Sequence, residues 1–259
     1  MIITLDLEHK TILTLDQEGN DITLPIYSRE GFSLLSKIWI KQEWNQLHWQ
    51  SFSWLGCQVW QLPEDLIRLQ EILVTIRPDV IIETGVNQGG SAIFFASLCR
   101  LMGKGRVISI DISITQSVKS KVLASGLTDL ITWVEGDSAS TFVVDKVKGL
   151  ICPDEKVFIF LDSDHSKSHV LNELNAYAEL VTPGSYIVAT DGVMESLSDT
   201  PHGHSEWALD NPAAAARDFV KTHPEFEIKR PTALYGQQYV IDELTYWPDA
   251  WLFRIPDRK

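Results

Sequence analysis

Cysteine, positive charge and long apolar runs are all scarce in this sequence. Its three cysteines, Cys57, Cys99 and Cys152, show no CxxC or other metal-ligand spacing, and an odd number suits a reducing compartment better than a disulfide framework. Lys and Arg total 22 against 35 Asp and Glu, a net charge of −13. That balance repels a phosphate backbone, so nucleic acid is not expected as a partner. No apolar run approaches the ~20 residues that cross a bilayer. The start, MIITLDLEHK, carries acids inside its apolar stretch and lacks a basic leader, so no signal peptide and no membrane partner are expected, and the expected location is cytoplasmic.

What is present favours a packed domain: 44% of 259 residues are hydrophobic, enough for one α/β unit with an extra arm. Residues 1–26 alternate apolar and polar positions in ITLDL, TILTLD and DITLPI, with EGND as a turn, which predicts a small antiparallel arm. Residues 30–54 carry Trp39, Trp44, Trp49 and Trp54 around a weak helical pattern. Packing anchors are the plain reading; a substrate lid or a self-association surface are the others, and a homo-oligomer is expected. The division expected is an arm and Trp-rich segment over 1–50, then one catalytic domain over 51–259.

From Leu62 the pattern changes. PEDLIRLQEILVTIRP has Pro and acids at a first helical turn and apolar residues at 66, 69, 72, 73 and 76, which predicts a helix ending near Arg77. Five short apolar runs then alternate with amphipathic segments: DVIIETG, RVISID, LITWVEGD, KVFIFLD and SYIVATDG. Alternation of this kind predicts a mostly parallel sheet with helices on both faces, a Rossmann-like α/β sandwich. FEIKR and AWLFRI, without a clear helix between them, are expected to add an antiparallel C-terminal strand pair.

In DVIIETGVNQGGSAIFFASL a strand ends at Glu83, turns through Gly85, Asn87, Gly89 and Gly90, and enters a helix at Ser91. Glycine lets backbone approach a ligand closely. The G-x-x-x-G-G spacing departs from the dinucleotide fingerprint, which sets a pyrophosphate on the helix. Glu83, two residues before the first glycine, instead suits the ammonium end of S-adenosylmethionine. Asp111, ending the next strand, can accept from ribose hydroxyls, and Asp137 and Ser138 after the third strand are placed at the adenine edge.

FLDSDHS, residues 160–166, puts Asp162 and His165 at the end of the fourth strand, on the sheet edge where open α/β sheets bind ligands. Asp191 follows the fifth strand. Oxygen ligands facing a cleft suit Mg²⁺, while one His without a nearby Cys argues against zinc. Methyl transfer to a hydroxyl needs an oxygen nucleophile in line with the methyl carbon, and His165 can take the released proton near neutral pH. His202 and His204 either line an acceptor pocket or sit in solvent.

The runs WLG and QLPEDL (54–66), RPDVIIETGVNQGGSAIFFASL, GRVISIDI, FLDSDHS and PGSYIVATDG resemble, in this order over roughly 50–255, the cephalosporin hydroxylase family, related to rhamnosyl and macrolide-sugar O-methyltransferases. The resemblance implies a class I methyltransferase fold, S-adenosylmethionine, Mg²⁺ on Asp162 and on the pair Thr190 and Asp191, and His165 as base. Thr190 departs from the pattern: a neutral hydroxyl stands where relatives carry a carboxylate, and it holds Mg²⁺ less strongly, with Asp164 a substitute charge. The activity expected is O-methyl transfer to a small hydroxylated molecule, a sugar or natural product. The rivals are a hydroxylase component, as the family name says, and a catalytically silent cofactor-binding subunit.

Overall fold

A computed structural model describes residues 2–16, 18–241 and 243–256. The expected arm is a three-stranded antiparallel sheet of β1 (Thr4–Asp6), β2 (Thr11–Leu15) and β3 (Asp21–Pro25). Its second turn is closed by the Asn20 amide donating to Asp16 Oδ1 at 2.8 Å. Helix α1 (Arg29–Asn45) follows, capped by the Ser28 hydroxyl, which accepts from the Gly31 amide. A 3₁₀ turn (His48–Ser51) and the short hairpin β4 (Ser53–Trp54) and β5 (Cys57–Gln58) lead to α2 (Pro63–Ile76). Proline at its start and a left-handed Arg77 at its end set the helix bounds that the sequence predicts.

The central sheet is built from β6 (Val80–Thr84), β7 (Arg106–Asp111), β8 (Ile131–Glu135), β9 (Val157–Leu161), β10 (Tyr186–Ala189), β11 (Phe226–Ile228) and β12 (Trp251–Arg254). Their order across the sheet is β11-β12-β10-β9-β6-β7-β8. β6 to β10 run parallel to one another, whereas β12 runs antiparallel to both β10 and β11. Between strands lie α3 (Gly90–Met102), α4 (Gln116–Ser125), α5 (Thr141–Lys148), α6 (Lys167–Tyr177), α7 (Met194–Leu197) and α8 (Pro212–Thr222). Strand side chains alternate between two cores. Ile81, Val107, Phe158 and Val188 join α2 and α3 on one face, while Ile82, Ile108, Ile159 and Ile187 join α5, α6 and α8 on the other.

The chain steps outward from β6 through β7 to β8 and then returns to β9 on the other side of β6. A crevice opens at the carboxyl ends of the strands where the order reverses. Register aligns its rim: Thr84 faces Ile110 on one side and Leu161 on the other, and Leu161 faces Ala189. The next residues on the four strands, Gly85, Asp111, Asp162 and Thr190, therefore stand in a row. No helix among the described residues is long and apolar enough to cross a membrane.

Candidate active site

A cavity of about 1040 Å³ opens along this row. Of the residues predicted from sequence, Gly85, Asn87, Gly90, Ser91, Asp111, Asp137, Ser138, Asp162, His165 and Asp191 line it; Glu83, Gly89 and Thr190 do not.

The glycine turn is shaped by the protein's own backbone. Gly85 has a φ of +85°, and a Cβ there would lie 1.9 Å from the Asp162 carbonyl oxygen; at Gly90 a Cβ would lie 2.1 Å from the Gln58 carbonyl oxygen. These glycines let the turn pack on β9 and on the β4–β5 hairpin, rather than only opening it to a ligand. Asp111 ties the turn down: its Oδ2 accepts from the Val86 and Asn87 amides at 2.8 and 3.1 Å, and its Oδ1 from Ser113 N–H. A carboxylate has about four lone-pair sites, so Asp111 retains capacity at the cavity wall.

Glu83 corrects the reading of an acid that meets the cofactor's ammonium. It is fully buried inside the sheet, where Oε1 accepts from Ser109 Oγ at 2.5 Å and Oε2 has no protein partner. Burial pushes its carboxyl up to about 7, helped by the Asp162 and Asp111 charges and opposed by the Ser109 hydrogen bond. Inward alternation at the fourth position of β6 explains the placement. Ser138 lines the cavity, and its hydroxyl donates to Glu173 Oε1 at 2.5 Å. Ser163 donates to the same oxygen at 2.8 Å, and His169, raised chiefly by its hydrogen bond with Glu173, sits 3.2 Å from both hydroxyls. None of Ser163, His169 and Glu173 stood out in the sequence; the spacing of His169 and Glu173 on one helical turn is the signal that was there.

The Asp–His cluster forms as the sequence predicts. Asp162, His165 and Asp191 each bring a ligand atom within 4.8 Å of the others, and His165 Nε2 lies 3.4 Å from Asp191 Oδ2. Asp191 has a φ of +58°, a left-handed conformation that costs energy outside glycine and is held at functional sites by surrounding structure. Burial raises both carboxyls above the usual range. The Asp191 charge raises Asp162 further, while His165 and hydrogen bonds from Thr190 and Gln61 pull it back. Two close carboxyls facing a cavity, each made costly to ionise, suit a divalent cation.

Thr190 is placed differently from a ligand. It is buried, and its hydroxyl lies 2.5 Å from Asp162 Oδ1 and 3.0 Å from the Leu161 carbonyl oxygen. It orients Asp162 from behind. Gln61 does the same for the other oxygen, its Nε2 donating to Asp162 Oδ2 at 2.9 Å while its Oε1 accepts from Trp247 Nε1 at 3.1 Å. Gln61 was missed in sequence, although a lone amide inside VWQLP is a visible irregularity. Asp164 also lines the cavity, but its Oδ1 accepts from the Ser166 amide at the start of α6, and the Ser166 side chain together with that amide holds its carboxyl low. His202 and His204 do not reach the cavity: the His202 amide donates to Asn45, and the His204 ring packs on Trp207.

The fold is that of the class I methyltransferases. It superimposes on a CmcI apo structure with a TM-score of 0.54 at 18% identity, covering 80% of this chain and 77% of that one. A CmcI structure described as Mg-SAM gives 0.52 at 17% identity, with the same coverage. The chain belongs to the Rhamnosyl O-methyltransferase/CmcI family, whose sequence model matches residues 46–255. It is 31% identical over 155 residues to a rhamnosyl O-methyltransferase of Mycobacterium tuberculosis, covering 58% of this chain and 61% of that one. The corresponding protein of Mycobacterium leprae is 33% identical over 147 residues, covering 55% and 61%. The chain thus spans about three-fifths of the length of these curated relatives.

Proposed function

We propose that this protein is an S-adenosylmethionine-dependent O-methyltransferase acting on a hydroxyl of a small molecule, a sugar or other natural product, with Mg²⁺ at the acidic cluster. The observation that carries this reading is the convergence of the Gly85 turn, Asp111, and the Asp162, His165 and Asp191 group on one cavity. The relatives named as rhamnosyl O-methyltransferases and the CmcI structure described as Mg-SAM support it.

In this reading Gly85, Asn87, Gly90 and Ser91 cradle the donor, Asp111 accepts from its ribose, and Asp137 borders its base. Glu83 and Gly89 act from beneath, as a buried support and as the turn into α3. Asp162 and Asp191 hold the metal, with Thr190 and Gln61 fixing the Asp162 carboxylate. A bound Mg²⁺ would lower the pKa of an acceptor hydroxyl and fix its position. With the donor bound, the acceptor oxygen would attack the methyl carbon in line as the carbon–sulfur bond breaks, releasing S-adenosylhomocysteine, and His165 would take the hydroxyl proton.

Incubation with methyl-labelled S-adenosylmethionine and a set of hydroxylated acceptors, followed by mass spectrometry, tests the assignment. A labelled ether that disappears with EDTA is expected. Cofactor binding without transfer to any acceptor would favour a silent subunit instead.

A further inference from the structure

The cavity has a second end that the donor and metal readings leave unused. Four rings line it in an unbroken chain: Trp60 to Trp49 at 5.2 Å between centroids, Trp49 to Trp44 at 5.6 Å, and Trp44 to Tyr246 at 5.4 Å. Three come from residues 44–60 and one from far along the chain: Trp44 lies in the last turn of α1, Trp49 in the 3₁₀ turn, Trp60 before α2, and Tyr246 in the segment before β12. Trp44 also falls outside the stretch matched by the family, 46–255.

Two features define what such a wall accepts. Tilted and edge-on aromatic rings offer an apolar surface to a ring. The lining also contains Asp111, Asp137, Asp162, Asp164 and Asp191 but neither Lys nor Arg among the described residues; these carboxylates can accept from the hydroxyls of a ligand, and with only His165 and His169 as basic groups beside them an anionic ligand meets net repulsion. At about 1040 Å³, the space lies at the upper end of the roughly 300–1,000 Å³ typical of a site for one small molecule, which allows an acceptor beside the donor.

We propose that Trp44, Trp49, Trp60 and Tyr246 determine acceptor specificity, holding an uncharged, hydroxylated ring by its apolar face and rejecting acids of the same shape. The proposal rests on the methyltransferase reading of the same cavity. Gln61 links the wall to the metal ligands: its Nε2 donates to Asp162, and its Oε1 accepts from Nε1 of Trp247, the neighbour of Tyr246.

The test is saturation-transfer NMR on the whole protein with S-adenosylhomocysteine present, comparing methyl β-D-glucopyranoside with the corresponding anionic uronide. Saturation of the neutral ring at least about tenfold stronger than of the uronide is expected. Trp60, 37% exposed, is the ring least needed for folding. Trp60→Ala should weaken the neutral ring about tenfold, with Trp60→Phe retaining most of the binding. Equal or stronger binding of the uronide, an unchanged neutral signal in Trp60→Ala, or no saturation of either ring overturns the proposal. Calorimetry with S-adenosylhomocysteine on the same samples separates the failures. Binding there with a failed ring test removes only the acceptor inference, and absent binding removes the methyltransferase reading itself. Should Trp60→Ala lose the fold, the neutral-to-anionic ratio in the unaltered protein decides.

Discussion

The glycine-turn side of the cavity and its aromatic side are built by different means. On the first, main-chain geometry sets the shape: β6, β7 and β9 in register bring Gly85, Asp111 and Asp162 together, and close backbone contacts leave no room for a side chain at Gly85. On the second, large rings from residues 44–60 and from Tyr246 meet in tilted and edge-to-face contacts. The first should therefore be brittle toward small changes of backbone, whereas the second should respond to loss of area while keeping the fold.

The sharpest way to break this contrast is Gly85→Ala. The added methyl meets a carbonyl oxygen at a positive φ, so thermal or denaturant unfolding should show a loss of about 3 kcal/mol or more; a loss near zero would mean that the turn is not backbone-limited. Next comes the acid beneath the turn. Glu83 is raised from 4.5 to about 7 chiefly by burial, so the folded protein holds its proton more tightly than the unfolded chain. Its contribution is fully present below about pH 4.5 and is lost as pH rises through about 7. Stability should decline over that window by up to about 3 kcal/mol on this account, and Glu83→Gln should flatten the decline measured by unfolding at several pH values.

Smaller effects sharpen the chemistry. His165→Ala should cost about 100-fold in turnover while cofactor affinity stays the same, as measured by initial rates beside calorimetry. Gln61→Ala removes one of two hydrogen bonds that orient Asp162; a fall of about tenfold in turnover at low Mg²⁺, partly restored by raising Mg²⁺, is expected in a metal titration.

The same contrast explains what could be read from the sequence. The succession of strands along the chain, the arm, the bounds of α2 and the placing of Gly85, Asp111, Asp162 and Asp191 at strand ends follow from local patterns: apolar runs of strand length, proline and acids at a helix start, glycines and acids after strands. The side on which a buried group points depends on register within the strand and on partners far away. Glu83 was therefore read as cavity-facing when it lies within the sheet against Ser109, and Thr190 as a ligand when it supports Asp162. The tryptophans stood out by number, but only packing could unite Trp44, Trp49 and Trp60 with Tyr246, nearly two hundred residues along the chain. Glu173, reached from Ser138 and Ser163 on different loops, was hidden for the same reason.

The central claim is that the Gly85 turn and Asp111 form a site for an adenosyl donor. Titration calorimetry with S-adenosylhomocysteine tests it most directly. The account predicts micromolar-range binding that weakens by about tenfold or more in Asp111→Ala, since the substitution removes both a ribose acceptor and the restraint on the Val86 and Asn87 amides. Equal affinity in the two proteins, or no binding to either, would contradict it.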